Sequence, residues 1–225
     1  MTMFALAALA LFADAPVAQP PNAPAALVFD IDGRSYRLPM PNGYCTPPRT
    51  PAAAVGEHSG AHGHIVANLA YVQDCKSASS DDGGDQNFIH LKYVKNFNPN
   101  APSRAAYLAF VAKQMGSASY IGEQESEAFA ERVERRMEST TGRKIDAQIS
   151  AVHLGHDDLC VYQARTMAVA LKGDEVGTVR MAGCTTWING RVVTIDIGSW
   201  ADGGLGFGAM VRELRAVAAS IAPSQ

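Results

Sequence analysis

The sequence predicts an α+β domain, a single domain in which helices cover an antiparallel β-sheet made of an N-terminal hairpin plus a C-terminal meander. Three observations carry that expectation. The apolar fraction is 47 % and the charged fraction 18 %, which is material for one buried core and too apolar for a chain disordered throughout. Two dipeptides that tolerate positive φ, Asp32-Gly33 and Asn189-Gly190, each lie between alternating apolar and polar residues, the pattern of a two-residue hairpin turn. Strand-like and helix-like stretches are grouped along the chain and do not alternate one for one, which argues against a parallel sheet.

The chain of 225 residues carries a formal charge of −3. It has no block of Lys or Arg that would make a footprint for nucleic acid or for an anionic membrane surface. No run approaches the roughly 18 apolar residues of a spanning helix, so no integral membrane segment is expected in the mature chain. The apolar stretch Met1 to Phe12 ends at Ala13-Asp14-Ala15, with small residues where a signal peptidase needs them; residues 1–15 read as a signal peptide, although no Lys or Arg precedes Arg34. Four prolines between Pro16 and Pro24 make residues 16–25 an extended leader. One domain is expected over 26–223, and the protein is expected to be periplasmic or secreted.

The four cysteines form two sequence-local pairs. An even count in an exported chain reads as disulfides. Three connectivities exist; the pairing of Cys45 with Cys75 and Cys160 with Cys184 closes the most modest loops, each bridge contributing about 3 kcal/mol. There is no CxxC, so neither a thioredoxin-type motif nor a zinc ribbon is indicated.

Residues 27–38 form the first hairpin. Pro39, Pro41, Pro47, Pro48 and Pro51 break the pattern and leave Tyr44 in a turn-rich loop beside Cys45. A poor helix, interrupted by Gly56, Gly60 and Gly63, is expected from Pro51 to Tyr71. Residues 76–87 hold no large apolar side chain and read as an exposed loop. A strand follows from Phe88 to Val94. Pro102-Ser103 opens a helix to Met115 with a buried stripe at Tyr107, Leu108, Phe110, Val111 and Met115, and a second helix is expected from Glu123 to Thr140. From Ile145 the period becomes two. The strands Val179–Ile188 and Arg191–Ile197 join at Asn189-Gly190, and their register sets Cys184, Ile188, Val193, Ile195 and Ile197 on one face. A closing helix carries Phe207, Met210, Val211, Leu214, Val217 and Ile221 at helical spacing. In this order of elements the chain loosely resembles the PsbP-like family of lumenal accessory proteins.

Several residues are candidates for chemistry. Leu27-Val-Phe-Asp-Ile-Asp-Gly33 resembles the first motif of the haloacid dehalogenase phosphatases. The resemblance implies Asp30 as nucleophile and Asp32 as acid/base at a magnesium site; the same residues also spell an Asp-Gly hairpin turn, the preferred reading. His58, His62 and His64, with His90 on the following strand, make a cluster that could chelate zinc, His58 and His62 being four apart; a solvated His/Gly loop is the preferred reading. His153, His156, Asp157 and Asp158 form a weaker group in an expected turn. The glycines at 203, 204, 206 and 208 fit neither GxGxxG nor a P-loop, and no GxSxG or SxxK signals serine chemistry.

The leading expectation is a non-enzymatic, disulfide-stapled binding or accessory module, its surface formed where the Pro-rich loop around Tyr44, the His/Gly segment and the Gly-rich loop after Trp200 would meet, with Tyr44 and Trp200 as candidate ligand-binding residues. Its partner would be an envelope protein or a small ligand. No cofactor is expected; zinc at the histidine cluster is the one candidate. The alternative is a metal-dependent hydrolase using the histidine cluster or Asp30 and Asp32.

Overall fold

In the computed structural model the described residues are 25–47, 56–59, 64–78, 87–115, 150–170, 176–200 and 204–224. The expected signal peptide 1–15, nearly all of the leader 16–25, the expected helix from Glu123 to Thr140, most of the loop 76–87 and His62 lie outside them.

The first hairpin forms as read. β1 (Ala26–Ile31) pairs antiparallel with β2 (Arg34–Pro39), Ile31 opposite Arg34. Asp32 and Gly33 take φ of 49° and 76° in the turn, as a type I′ turn requires. Phe29, Ile31, Tyr36 and Leu38 turn inward and are buried. The hairpin does not join the meander. Its partner is the two-residue strand β11 (Ala222–Pro223), which completes a separate three-stranded sheet.

The larger sheet has eight strands. β3 (Tyr44–Cys45) and β4 (Glu57–Ser59) both pair with β5 (Ile65–Asp74), and the order continues through β6 (Phe88–Val94), β10 (Arg191–Trp200), β9 (Val176–Ile188), β8 (Val161–Ala170) and β7 (Ser150–His156). Every pairing is antiparallel. Among the described residues two helices exceed one turn, α2 (Arg104–Gln114) and α3 (Phe207–Ser220); α1 (Cys75–Ala78) is a single turn.

The expected α+β class is therefore corrected: the molecule is a sheet-dominated, mostly antiparallel β fold. The main source of the difference is the segment read as a helix from Pro51 to Tyr71, whose described residues form β4 and β5. Its glycines weaken a helix by about 1 kcal/mol each, and pairing of β5 with strands on both sides outweighs the helical propensity of its alanines.

The sheet has two unlike faces. Val72, Ile89, Leu91, Ala182, Cys184, Ile188, Val193, Ile195 and Ile197 belong to the main core, together with the inward side of the hairpin and Phe207, Met210, Leu214 and Val217 of α3. Complete burial of such side chains contributes about 1.5–3 kcal/mol each. The opposite face meets α2 at one end only, where Tyr107, Leu108 and Ala112 pack with Val161, Val192 and Trp187 in a smaller cluster. Ser103 caps α2, its hydroxyl accepting from Ala106 N at 3.2 Å. Both expected disulfides are present, Cys45–Cys75 and Cys160–Cys184, with Cα separations of 5.0 and 5.2 Å.

Candidate binding face

Residues opposite one another in an antiparallel pair point to the same side of the sheet, so the registers define rows of side chains across the strands. On the face away from α3, one such row runs Tyr71, His90, Asp196, Gly183, Gln163, His153, with one residue from each of β5, β6, β10, β9, β8 and β7. The row beside it, toward α2, is Asn68, Lys92, Thr194, Thr185, Val161, His156. The row on the other side includes Phe88, Gly198, Met181 and Arg165. A sheet lined with aliphatics on its core side thus carries a band of hydrogen-bonding side chains on the other. Tyr71, His90, Lys92, Thr194, Thr185, Gln163 and Arg165 are all partly exposed.

Asp196 lies at the centre. It is only 1 % exposed, which would be costly for a lone carboxylate. Lys92 Nζ approaches its Oδ2 at 2.5 Å and supplies the compensating charge. Gly183, directly opposite, makes the room: a Cβ there would stand 2.8 Å from Asp196 Oδ1 and 4.0 Å from Arg165 Nη2. The two charged groups therefore converge above a stretch of bare backbone.

His90 adjoins this pair. Its pKa is lowered to about 4, first by burial and then by the Lys92 ammonium and His58, with Asp196 pulling the other way. Its imidazole is neutral at neutral pH, and its Nε2 is buried with no hydrogen-bond partner. Tyr71 packs edge-on against His90 at 5.8 Å and stacks on Phe88 at 5.7 Å; burial raises its hydroxyl pKa. On the far side, Arg165 Nη2 donates to Gln163 Oε1 at 3.0 Å, and Gln163 Nε2 reaches Met115 Sδ at 3.3 Å, where α2 ends. The face can offer a ligand cationic N–H groups and amide and hydroxyl groups, with the buried Asp196 carboxylate anchoring Lys92 among them.

The residues singled out in the sequence sit elsewhere, for the most part. Asp30 accepts from the Ser35 hydroxyl at 2.5 Å, and Asp32 is ion-paired with Arg191 at the hairpin tip. Both are exposed and belong to the Asp-Gly hairpin turn, the preferred reading of this segment. His58 is exposed on β4 opposite Val66; His64 lies edge-on to Phe97 at 5.2 Å. Among the described residues no three His, Cys, Asp or Glu side chains are grouped to hold a metal ion.

Asp157 is fully engaged in structure. Its Oδ1 accepts from Leu159 N and Cys160 N at 2.8 Å each, and its Oδ2 accepts from the Tyr162 hydroxyl at 2.7 Å and Arg215 Nε at 3.0 Å. Tyr44 is buried, its hydroxyl hydrogen-bonded to Glu213 of α3, and burial with that neighbouring carboxyl raises its pKa. It pairs with Asp74 at one end of β5, whereas His58 pairs with Val66 near the other. Eight residues of strand, about 26 Å, separate those positions, so Tyr44 and His58 do not meet. Trp200 closes β10, partly exposed, by strand parity on the same side as Asp196. No family model matches the chain, nor does any curated protein or solved structure.

Proposed function

We propose that the protein is an exported, disulfide-stapled, non-enzymatic binding module whose ligand lies on the polar face centred on Asp196. The observation that carries this reading is the six-strand row from Tyr71 to His153. Burial of Asp196 with Lys92 costs desolvation that well-packed aliphatics would avoid, and the core side of the same strands is built from aliphatics. A polar band of that kind is more readily explained by recognition than by stability. Two disulfides are compatible with export, since such bridges persist in oxidising compartments. The nearest alternative, a metal-dependent hydrolase at His58, His62 and His64 or at Asp30 and Asp32, gains no specific support from the geometry.

Backbone-amide NMR on the disulfide-bonded chain tests this reading, using four probe classes: small anions, amines, neutral saccharides and fatty acids. One class is expected to shift the amides of Ile89–Tyr93 and Val193–Ile197, and Asp196→Asn is expected to weaken that response. Perturbations confined to other strands, or none from any class, would overturn it.

A further inference from the structure

The chain contains two Asn-Gly dipeptides, Asn42-Gly43 and Asn189-Gly190, and both asparagines are exposed in turns. With no side chain on the second residue, the glycine nitrogen can close on the asparagine's own amide carbon. The two turns differ in how firmly they are held. Asn189 and Gly190 both take positive φ, 52° and 76°, in the loop between β9 and β10, whose register runs without a shift from Ile188 opposite Arg191 to Val179 opposite Trp200. Ile188 and Val192 on either side are buried, Arg104 Nε donates to Trp187 O at 3.1 Å, Arg191 is ion-paired with Asp32, and Trp187 Nε1 stands 3.7 Å from where a Cβ on Gly190 would lie. Asn42-Gly43 is the looser turn. Gly43 alone has positive φ, 83°, and one hydrogen bond, from Tyr44 N to Pro41 O at 3.1 Å, closes the loop between β2 and the two-residue β3, which makes it a type II turn. Gly43 is exposed, and a Cβ there would meet nothing within 4 Å. Among the described residues neither the Asn42 side-chain amide nor the Gly43 N–H is engaged in a hydrogen bond.

We propose that Asn42 is a site of spontaneous deamidation in the folded protein and that the sheet protects Asn189 from the same reaction. Gly43 N attacks Asn42 Cγ. The N–Cγ bond forms, the proton of the Gly43 N–H passes to Nδ2 by way of water, the Cγ–Nδ2 bond breaks, and ammonia leaves behind a cyclic imide. Water then opens the imide: cleavage between the nitrogen and the main-chain carbonyl carbon of residue 42 leaves iso-aspartate, and cleavage between the nitrogen and Cγ leaves aspartate. Ring closure requires the asparagine ψ to rotate until the glycine nitrogen lies beside Cβ. The extended ψ at the first central position of a type II turn is nearer to that arrangement than the left-handed ψ of a type I′ turn. Opening the Asn42 turn breaks one backbone bond, whereas opening the hairpin tip disturbs the β9–β10 ladder and the packing of α2 on Trp187. Either product adds a carboxylate to a chain of formal charge −3, and iso-aspartate also lengthens the main chain by a carbon just before Tyr44. The bond from Cys75 N to Gly43 O at 2.8 Å and the Cys45–Cys75 bridge hold β3 in place around the altered turn.

The test is incubation of the full, disulfide-bonded chain in mildly alkaline buffer beside the same chain reduced and unfolded in guanidinium chloride, with peptide mapping by mass spectrometry until both asparagines of the unfolded chain have converted. In the unfolded chain the two sites are expected to convert at similar rates. In the folded chain Asn42 is expected to convert about tenfold faster than Asn189, the ratio that separates a locally opening turn from one held in a sheet, with iso-aspartate in excess of aspartate at position 42. An Asn42 that keeps its amide while its unfolded counterpart converts would overturn the proposal. So would an Asn189 that converts in the folded chain as fast as Asn42 or faster.

Discussion

Asp196 and Gly183 illustrate how one position dictates another. The carboxylate occupies space that any other residue at 183 would claim, its Oδ1 2.8 Å from the missing Cβ. Gly183→Ala must push the carboxylate off its Lys92 partner or move backbone, and is expected to cost about 1–3 kcal/mol in urea unfolding. Asp157 behaves differently. Its four hydrogen bonds close the turn between β7 and β8 and tie it to α3, so Asp157→Ala is expected to lose about 3 kcal/mol in the same assay. Asp157→Asn, which keeps an oxygen acceptor, should lose less. Equal losses from the two variants would show that charge, not turn geometry, is what matters there.

At the scale of elements, local chemistry was most legible where a turn or a cap demands a particular residue. Asn189 and Gly190 take φ of 52° and 76°, and the Asn-Gly dipeptide announced both the turn and the register that sets Cys184 and Ile195 opposite each other. Ser103 was equally plain as a helix start, and Ser103→Ala is expected to reduce stability by about 1 kcal/mol, read from the thermal midpoint. The cysteine pairing followed from loop length. β5 was not legible: Ala67 and Ala70 favour helix locally, and a register shift between Asn68 and Ala70 hides the alternation. The binding face was hidden for another reason. Its central row draws on residues 71, 90, 153, 163, 183 and 196, which no local window unites. Two signals were present all the same: His90 and Lys92 alternate with Ile89, Leu91 and Tyr93, and Asp196 stands between Ile195 and Ile197.

For the whole molecule, the two bridges and the two unlike faces define the energetics. Cys160–Cys184 ties the start of β8 to β9 beneath α3, and its replacement by a pair of alanines is expected to cost about 2–4 kcal/mol in denaturant unfolding. Acid acts through His90. In the unfolded chain its imidazole takes up a proton near pH 6.5, whereas in the folded protein it resists until about pH 4. Between those values the unfolded state binds more protons, so this contribution to stability is whole above pH 6.5 and is lost as the pH falls toward 4. His90→Gln should flatten that part of the stability profile.

If His90, Lys92 and Asp196 form one packed polar site on the sheet, NMR titration of the His90 imidazole in the wild-type protein and in Lys92→Gln reads their coupling. A wild-type pKa near 4 is expected, rising when the neighbouring ammonium is removed, because Lys92 lowers it and Asp196, then unopposed, raises it. A wild-type His90 that titrates near 6.5 and is indifferent to Lys92→Gln would contradict it.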